Sequence, residues 1–193
     1  MESIINFDHR LFELINQGWS NPYFDFLLKW MRNEWIWFPF YAFIISFAIF
    51  NFKKNAYWLI FFCLLNFGTT DIISSHFIKK NVERLRPCRD ESIERKNVLV
   101  RCGSGFSFTS SHATNHFGLA TFLSFTLGLI IKKIRIPLFL WAAIISISQV
   151  YVGVHFPIDI TCGAIIGILV GLFWSKVFIK YYSYVFINEP QPR

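Results

Sequence analysis

Apolar stretches about as long as a bilayer is thick dominate this sequence. Only an α-helix or a closed barrel satisfies its own backbone polar groups in lipid, so each stretch is predicted to be a transmembrane helix of about 20 residues. Of the 193 residues, 54% are hydrophobic and only 16% are charged, whereas a soluble domain carries about 25% charged residues. The chain is therefore predicted to be an all-α integral membrane protein.

Five such stretches can be delimited, and they predict a helical bundle of about five transmembrane helices. The second, third and fourth contain polar residues and are less uniformly apolar than the first, so four spans is the alternative. No long linker or internal repeat divides the chain, which favours a single domain over residues 1–193. The stretches are residues 35–52, 56–78, 109–131, 136–154 and 157–181.

Residues 1–33 have a different pattern. Apolar residues such as Phe7 and Leu11 recur at helical spacing beside charged residues, which predicts an amphipathic helix at the membrane interface. Gly18 ends this pattern, and Ser20-Asn21-Pro22 predicts the start of a second short helix. A cleavable signal peptide does not fit, because acidic residues occur at once and no small-residue cleavage site follows an apolar core.

The loop of residues 79–108 carries much of the polar chemistry. It holds eight Lys or Arg residues against four acidic ones. A basic loop at a membrane surface attracts anionic headgroups without further specificity. Lys79, followed after six residues by Arg86-Pro87, indicates more than that. A lysine at a helix end acts as a point charge, and an arginine fork binds two phosphate oxygens.

A second polar cluster, Ser110-Ser111-His112, lies at the start of the third apolar stretch. The free backbone amides and the dipole of a helix start bind phosphate readily. Ser110 adds a hydroxyl donor, and His112 offers a proton. The alternative is that Thr109 or Ser110 only caps the helix.

A third cluster consists of His155 and Asp159, between the fourth and fifth apolar stretches. Pro157 suits the first turn of a helix, which places Asp159 within reach of the imidazole. A carboxylate on one ring nitrogen fixes the tautomer and leaves the other nitrogen free for nucleophilic attack. A single histidine at an interface is more often only a hydrated side chain, so this cluster gains weight from the other two.

Together, the three clusters resemble the signature of the type 2 phosphatidic acid phosphatase and vanadium haloperoxidase superfamily, in its membrane-bound branch. That signature reads Lys-x6-Arg-Pro, then Pro-Ser-Gly-His, then Ser-Arg-x5-His-x3-Asp. The matching residues, in the same order and at the same spacing, are Lys79, Arg86, Pro87, Ser110, His112, Ser148, His155 and Asp159.

The resemblance implies hydrolysis of a phosphate monoester or diphosphate on a membrane lipid through a phosphohistidine intermediate. His155 is then the nucleophile, Asp159 orients it, and His112 is the general acid and base. The resemblance implies no cofactor and no metal. The partners expected are the lipid substrate and the bilayer, with no nucleic acid. The residues expected to hold the phosphate are Lys79, Arg86, Ser110, Ser111 and Gln149.

The chain departs from the signature at two places. Thr109 and Ser111 replace the Pro and Gly of the second block. Gln149 replaces the Arg of the third block, which is normally another phosphate ligand, and Gln brings no charge. The alternative function is therefore a catalytically weak or inactive membrane protein that binds a lipid phosphate. A nearby arginine would compensate, namely Arg84, Arg89 or Arg101.

Two features bear on localisation. A raw count of Lys and Arg, 8 on the side of the Lys53-Lys54 turn against 11 on the opposite side, opposes a simple positive-inside assignment. If cations of the loop of residues 79–108 serve to bind phosphate, they say little about topology, and the turns at Lys53-Lys54 and Lys132-Lys133 then point to the cytoplasm and leave the loop outside. A disulfide between Cys88 and Cys102 would agree, since such a bond persists only in an oxidising compartment; two free thiols would remove that support. The small body resembles the bacterial members of the family. We expect a bacterial inner membrane protein with its active site on the non-cytoplasmic face.

Overall fold

The structure is a computed structural model that describes residues 2–187. Every regular element in this part of the chain is helical, as the sequence predicts. Shorter 3-10 and π turns join or extend the α-helices. The α-helices are α1 (Glu2–Asn16), α2 (Pro22–Met31), α3 (Phe38–Phe52), α4 (Ala56–Asp71), α5 (Lys79–Val82), α6 (Ser111–Thr126), α7 (Arg135–Tyr151) and α8 (Pro157–Ile187).

Local sequence explains where the helices around the polar end begin. Asn21 caps α2, its side-chain oxygen accepting from the amide of Phe24 at 3.0 Å, and Pro22 is the first helical residue. Ser110 caps α6. Pro157 begins α8, and its fixed φ favours a first turn where no amide donor is needed.

Three helical runs in the described residues are long and apolar enough to cross a membrane: Glu34–Arg89, Lys132–Tyr151 and Pro157–Tyr182. The first is 56 residues long, and Lys53, with a φ of 47°, forms the turn that divides it into α3 and α4. Helix α6, within the third predicted stretch, is not among the three runs, and it gives way to a 3-10 turn after Thr126.

Helix α6 lies at the centre of the bundle and packs most extensively against α8. Glycines on α8 make this close approach possible. A Cβ atom on Gly163 would lie 2.8 Å from the carbonyl oxygen of Ser110, and Gly167 and Gly171 are similarly tight against α6. The amide of Ser110 also donates to the carbonyl of Asp159 at 3.1 Å. The first turns of α6 and α8, which carry two of the sequence clusters, are therefore held together.

Helices α1 and α2 pack over the same end of the bundle. Helix α1 does not simply bury its apolar stripe: Phe7 is 61% and Leu14 is 56% exposed, whereas Asp8 and Asn16 are fully buried. Burial of these two polar side chains is tolerated because each forms hydrogen bonds within the protein. Asn16, for example, donates to the carbonyl of Tyr151 at 2.7 Å.

Candidate active site

His155 lies in the turn between α7 and α8 and is only 2% exposed. Gly153, with a φ of 83°, allows the turn, because side chains other than glycine rarely adopt this conformation. The amides of Val154 and His155 both donate to the carbonyl of Gln149, at 3.1 and 3.2 Å. The backbone therefore fixes the position of the imidazole.

The Nδ1 atom of His155 faces a buried carboxylate. Oδ2 of Asp159 lies 3.5 Å from it and accepts from the amide of Phe156 at 2.8 Å. The same oxygen accepts a hydrogen bond from the hydroxyl of Ser107, which lies 3.4 Å from Nδ1. A carboxylate here favours a proton on Nδ1 and leaves Nε2 as the free base.

Arg84 joins this carboxylate to a second one. Its two terminal nitrogens lie 2.8 Å from Oδ1 of Asp159 and 2.6 Å from Oδ2 of Asp8. Both carboxylates are fully buried, while the Arg84 side chain is 22% exposed. Asp8 also accepts from the amide of Ile158 at 2.8 Å. Helix α1 is thereby connected to the residues that surround His155.

The Nε2 atom of His155 faces cations. Nη1 of Arg86 lies 3.4 Å from it, and because a guanidinium only donates, this contact is consistent with an unprotonated Nε2. Arg86 is steadied by donating to the carbonyl of Gly105 at 2.9 Å. Lys79 lies within electrostatic range of Arg86, Asp159 and His155. In the described part of the chain, its ammonium forms no hydrogen bond or ion pair.

The two serines of the second cluster lie at the start of α6. The Ser110 hydroxyl accepts from the amide of Ala113 at 3.4 Å, so it caps the helix and still has its own proton to donate. The Ser111 hydroxyl lies 3.2 Å from that of Ser74 and 3.0 Å from that of Ser75. The first amides of α6 have no partner within the helix. Capping and anion binding are therefore compatible at this helix start.

His112, on the first turn of α6, lies within electrostatic range of His155. Its Nε2 is 3.6 Å from a carboxylate oxygen of Glu34, which is 76% exposed. Its backbone carbonyl is 2.7 Å from Nδ1 of His116, whose Nε2 lies 3.2 Å from the Tyr41 hydroxyl. His116 therefore supports the turn that carries His112.

Gln149, on α7, is 1% exposed. Its Oε1 accepts from Nε of Arg32 at 3.4 Å, while its Nε2 has no hydrogen-bond partner in the described residues. The loop arginines predicted as replacements bond elsewhere or are exposed. Arg84 is paired with two carboxylates, Arg89 donates to a loop carbonyl at 3.0 Å, and Arg101 is exposed.

Two cavities meet at His112. One, of about 860 Å³, lies beside α2 and is lined both by charged residues such as Arg32 and Glu34 and by apolar residues such as Trp30 and Leu99. The other, of about 470 Å³, is mainly apolar and runs between α3, α4 and α6 past Leu59 and Leu123. Within the described residues, no group of three His, Cys, Asp or Glu side chains is placed to hold a metal ion.

Burial has a marked effect on the protonation of His155. It lowers the pKa of the imidazole to about 4, although the hydrogen bond and the charge of Asp159 act in the opposite direction. At pH 7 the ring is therefore neutral, and a nitrogen lone pair is available.

Cys88 and Cys102 form a disulfide, with Cα atoms 6.1 Å apart. The sequence left this pairing open. Cys88 directly follows Arg86-Pro87, so the bond ties together the part of the loop that carries Arg86. Cys63 and Cys162 are free.

Sequence reasoning missed Asp8, Ser107 and Arg32 as neighbours of the site. Ser107 precedes the second cluster by only three residues, so its position in the chain was a weak signal. Asp8 and Arg32 carry no local signal, since their partners lie 76 to 150 residues away along the chain.

Comparison with known proteins adds independent findings. The model of the PAP2 superfamily matches residues 56–182. A lipid A 4'-phosphatase of Bacteroides thetaiotaomicron is 33% identical over 190 residues, covering 94% of this chain and 80% of that protein. The crystal structure of Aquifex aeolicus LpxE has a TM-score of 0.65 at 29% identity and covers 86% of this chain and 93% of its own.

A second solved structure supports the fold alone. The transmembrane PAP2-type phosphatidylglycerolphosphate phosphatase of Bacillus subtilis has a TM-score of 0.74 at 23% identity, covering 95% of this chain and 90% of its own. The predictions of a phosphatase and of an integral membrane protein are confirmed. With the family model matching well over half of its residues, the chain belongs to the PAP2 superfamily.

Proposed function

We propose that this protein hydrolyses a phosphate monoester or diphosphate of a membrane lipid through a phosphohistidine intermediate and without a metal ion. The observation that carries the proposal is the two-sided environment of His155. A carboxylate lies at its Nδ1 and a guanidinium at its Nε2. Nε2 is then a nucleophile that faces a place suited to an anion, and the charge that develops on the ring is stabilised from behind.

In the first step, Nε2 of His155 attacks phosphorus in line. The N–P bond forms as the P–O bond to the lipid breaks, and His112 gives a proton to the departing oxygen. Asp159 holds the Nδ1 proton and stabilises the cationic ring. In the second step, His112 takes a proton from water as the water oxygen attacks phosphorus. Inorganic phosphate leaves, and His155 is again neutral.

The phosphate oxygens are held by positive and donor groups from all three clusters. Cations and preorganised N–H groups stabilise the charge of a phosphoryl transition state. In metal-dependent phosphatases a metal ion provides this stabilisation. The proposed ligands are Lys79, Arg86, the Ser110 hydroxyl, the Ser111 amide and the Gln149 amide.

Two observations support a lipid as the substrate. The apolar cavity between α3, α4 and α6 opens beside His112, so an acyl or prenyl chain would lie there while its phosphate reaches His155. The similar Bacteroides thetaiotaomicron protein is named for a lipid phosphate, the 4'-phosphate of lipid A. The larger cavity beside α2, with its charged and apolar lining, would then receive the rest of the headgroup.

The proposal also covers the arrangement in the membrane. Residues 1–193 form one phosphatase domain, of which the structure describes residues 2–187. Its five spans are formed by α3, by α4 with the π turn Ile72–Ile78, and by α6, α7 and α8. Residues 1–33 lie at the interface, and residues 79–108 form the active-site loop. Exposed apolar side chains on α1, such as Ile4 and Phe7, support contact with lipid.

The site is proposed to face the non-cytoplasmic side of a bacterial inner membrane. The Cys88–Cys102 disulfide supports this, because it requires an oxidising compartment. Intact cells would be reduced mildly and treated with a membrane-impermeant maleimide. We expect the maleimide to label Cys88 and Cys102 of the wild type. It should not label a Lys54→Cys variant from which Cys88 and Cys102 have been removed. The reverse pattern contradicts the orientation.

The activity is tested by phosphate release from the purified protein in detergent. A panel of lipid A, phosphatidic acid, phosphatidylglycerol phosphate and undecaprenyl diphosphate is assayed with and without EDTA. We expect phosphate release from at least one of these lipids. EDTA should not change this release, and His155→Ala should abolish it. His76→Ala, which alters an exposed histidine, should match the wild type.

The phosphohistidine intermediate is tested with an aryl phosphate labelled at phosphorus. Its aryl oxide leaving group is stable enough to depart without a proton from a general acid. In His112→Ala, attack on the aryl phosphate proceeds while water activation is lost, so acid-labile, alkali-stable label should accumulate on His155. Absence of label under turnover contradicts the phosphohistidine. Phosphate binding without release from any lipid would instead favour the alternative of an inactive lipid-phosphate-binding protein.

A further inference from the structure

The starting observation is a contact between two distant parts of the chain. Gln149 stands where the family signature has an arginine, and Arg32, at the end of α2, reaches it from 117 residues away. Nε of Arg32 donates to Oε1 of Gln149 at 3.4 Å, and Gln149 is 1% exposed. An arginine is therefore present at this part of the site, supplied by a different helix.

The contact also fixes which way the Gln149 amide points. A guanidinium only donates, so the amide must turn its oxygen to Arg32. The Nε2 atom is left buried with no hydrogen-bond partner in the described residues. A buried donor without a partner is unfavourable, and an oxygen of a bound anion would relieve this.

The charges around Arg32 point to the same ligand. Arg32 lies within electrostatic range of Arg86 and of His112, the two side chains that flank the proposed phosphate position. It forms no ion pair within the described residues. Glu34, the carboxylate that acts on it electrostatically, is largely exposed and faces His112. Arg32 thus adds a cation that the protein itself leaves without a close carboxylate.

We propose that Arg32 binds an oxygen of the reacting phosphoryl group and takes the part of the arginine missing at position 149. Gln149 holds its Nε, which leaves the two terminal nitrogens of the fork for the phosphate. This rests on the proposed function, because the phosphoryl group is the one that His155 attacks. It also explains why Gln suits position 149: an arginine there would place a second guanidinium against Arg32.

The test is a double-mutant cycle between positions 32 and 149 in the purified full-length protein. The readouts are kcat and KM for the best lipid of the panel and the inhibition constant of inorganic phosphate. Arg32→Ala should weaken phosphate inhibition by about 10- to 100-fold, the range for a lost charge-assisted hydrogen bond. The inhibition constant of phosphate for Arg32→Lys should lie between those of the wild type and Arg32→Ala, since lysine keeps the charge but lacks the guanidinium fork.

The decisive variant combines both changes. Gln149→Arg alone should lower activity, because two guanidinium groups repel each other, whereas Arg32→Ala with Gln149→Arg should recover most of the phosphate affinity and kcat. A purely structural role of Arg32 predicts no such rescue. Arg101→Ala, which removes an exposed loop arginine, is the matched control and should be unchanged.

The outcomes separate this inference from the proposed function. Unchanged phosphate inhibition in Arg32→Ala, or additive losses in the double variant, overturns the role of Arg32. If the wild type releases no phosphate from any lipid, the proposed function fails, yet binding of inorganic phosphate, followed by thermal shift, still tests Arg32. A weaker shift in Arg32→Ala that Gln149→Arg restores supports the inference, and equal shifts in all variants overturn it.

Discussion

The two sides of the His155 ring differ in how completely their charges are paired. On the Nδ1 side every charged group has a partner at 3.5 Å or less and the carboxylates are fully buried; we call it the paired side. On the Nε2 side the three permanent cations form no ion pair within the described residues, and His112 faces only the exposed carboxylate of Glu34, 3.6 Å away; we call it the open side. The paired side consists of Asp8, Arg84, Ser107 and Asp159. The open side consists of Arg32, Lys79, Arg86 and His112.

This difference indicates a division of labour. The paired side holds two carboxylates and one guanidinium, so its net negative charge favours a cationic ring on His155. The open side holds three permanent cations, which favour a phosphate anion in front of Nε2. Because the groups of the paired side are buried and mutually bonded, their loss should affect the fold as well as turnover. Loss of a group of the open side should lower turnover and phosphate binding with little effect on the fold.

The largest expected effect comes from Asp159, the carboxylate that faces the ring and is paired with Arg84. Asp159→Asn should lower kcat by about 10³- to 10⁴-fold, since the amide no longer selects the Nδ1 tautomer or stabilises the cationic ring. Phosphate release measures this. Glu83→Gln, an exposed acid of the same loop, serves as the control. A loss of less than tenfold would contradict the role given to the paired side.

On the open side, Arg86→Ala should lower kcat/KM by about 10- to 100-fold through loss of a charge-assisted contact to phosphate. Its present hydrogen bonds to protein go to carbonyls and to His155 rather than to carboxylates. Its melting temperature in detergent should therefore fall by less than about 4 °C. A larger fall in melting temperature with retained activity would show that Arg86 stabilises the fold rather than binds phosphate, contrary to the comparison of the two sides.

On the paired side, Arg84→Ala leaves Asp8 and Asp159 buried without their cation. Breaking a buried ion pair in this way costs about 3–5 kcal/mol, which corresponds to a fall in melting temperature of roughly 10 °C for a chain of this length. Arg89→Ala, which removes an exposed arginine bonded to a carbonyl, should change the melting temperature little. An Arg84→Ala protein as stable as the wild type would show that the network is not structural.

The smallest effect concerns protonation. The pKa of His155 is lowered to about 4 by burial. As the pH falls, His155 is therefore protonated in the unfolded chain before it is protonated in the folded protein. His155 therefore makes the fold less stable as the pH falls from about 6.5 to about 4 and leaves it unaffected above that window. A ¹⁵N-histidine titration, with His155→Gln for assignment, should show a signal that titrates near 4. Titration near 6.5 would contradict the burial.

The residues that the sequence could predict are those whose relation is local or follows a family spacing. His155 and Asp159 are four residues apart around a helix start, so their contact follows from local geometry. Ser110 and Ser111 share a helix start for the same reason. The number of spans stays a prediction, because α6 carries polar residues and its hydropathy alone does not mark it as a span.

By itself, the sequence determined the all-α membrane class, the helix starts at Asn21, Ser110 and Pro157, and the motif residues around His155. These follow from hydropathy, capping chemistry and short spacings, which act within a few turns of chain. Only the tertiary structure decided that Asp8 and Arg32 meet the site and that Cys88 pairs with Cys102. Such contacts depend on how helices far apart in sequence pack, and no local pattern encodes that.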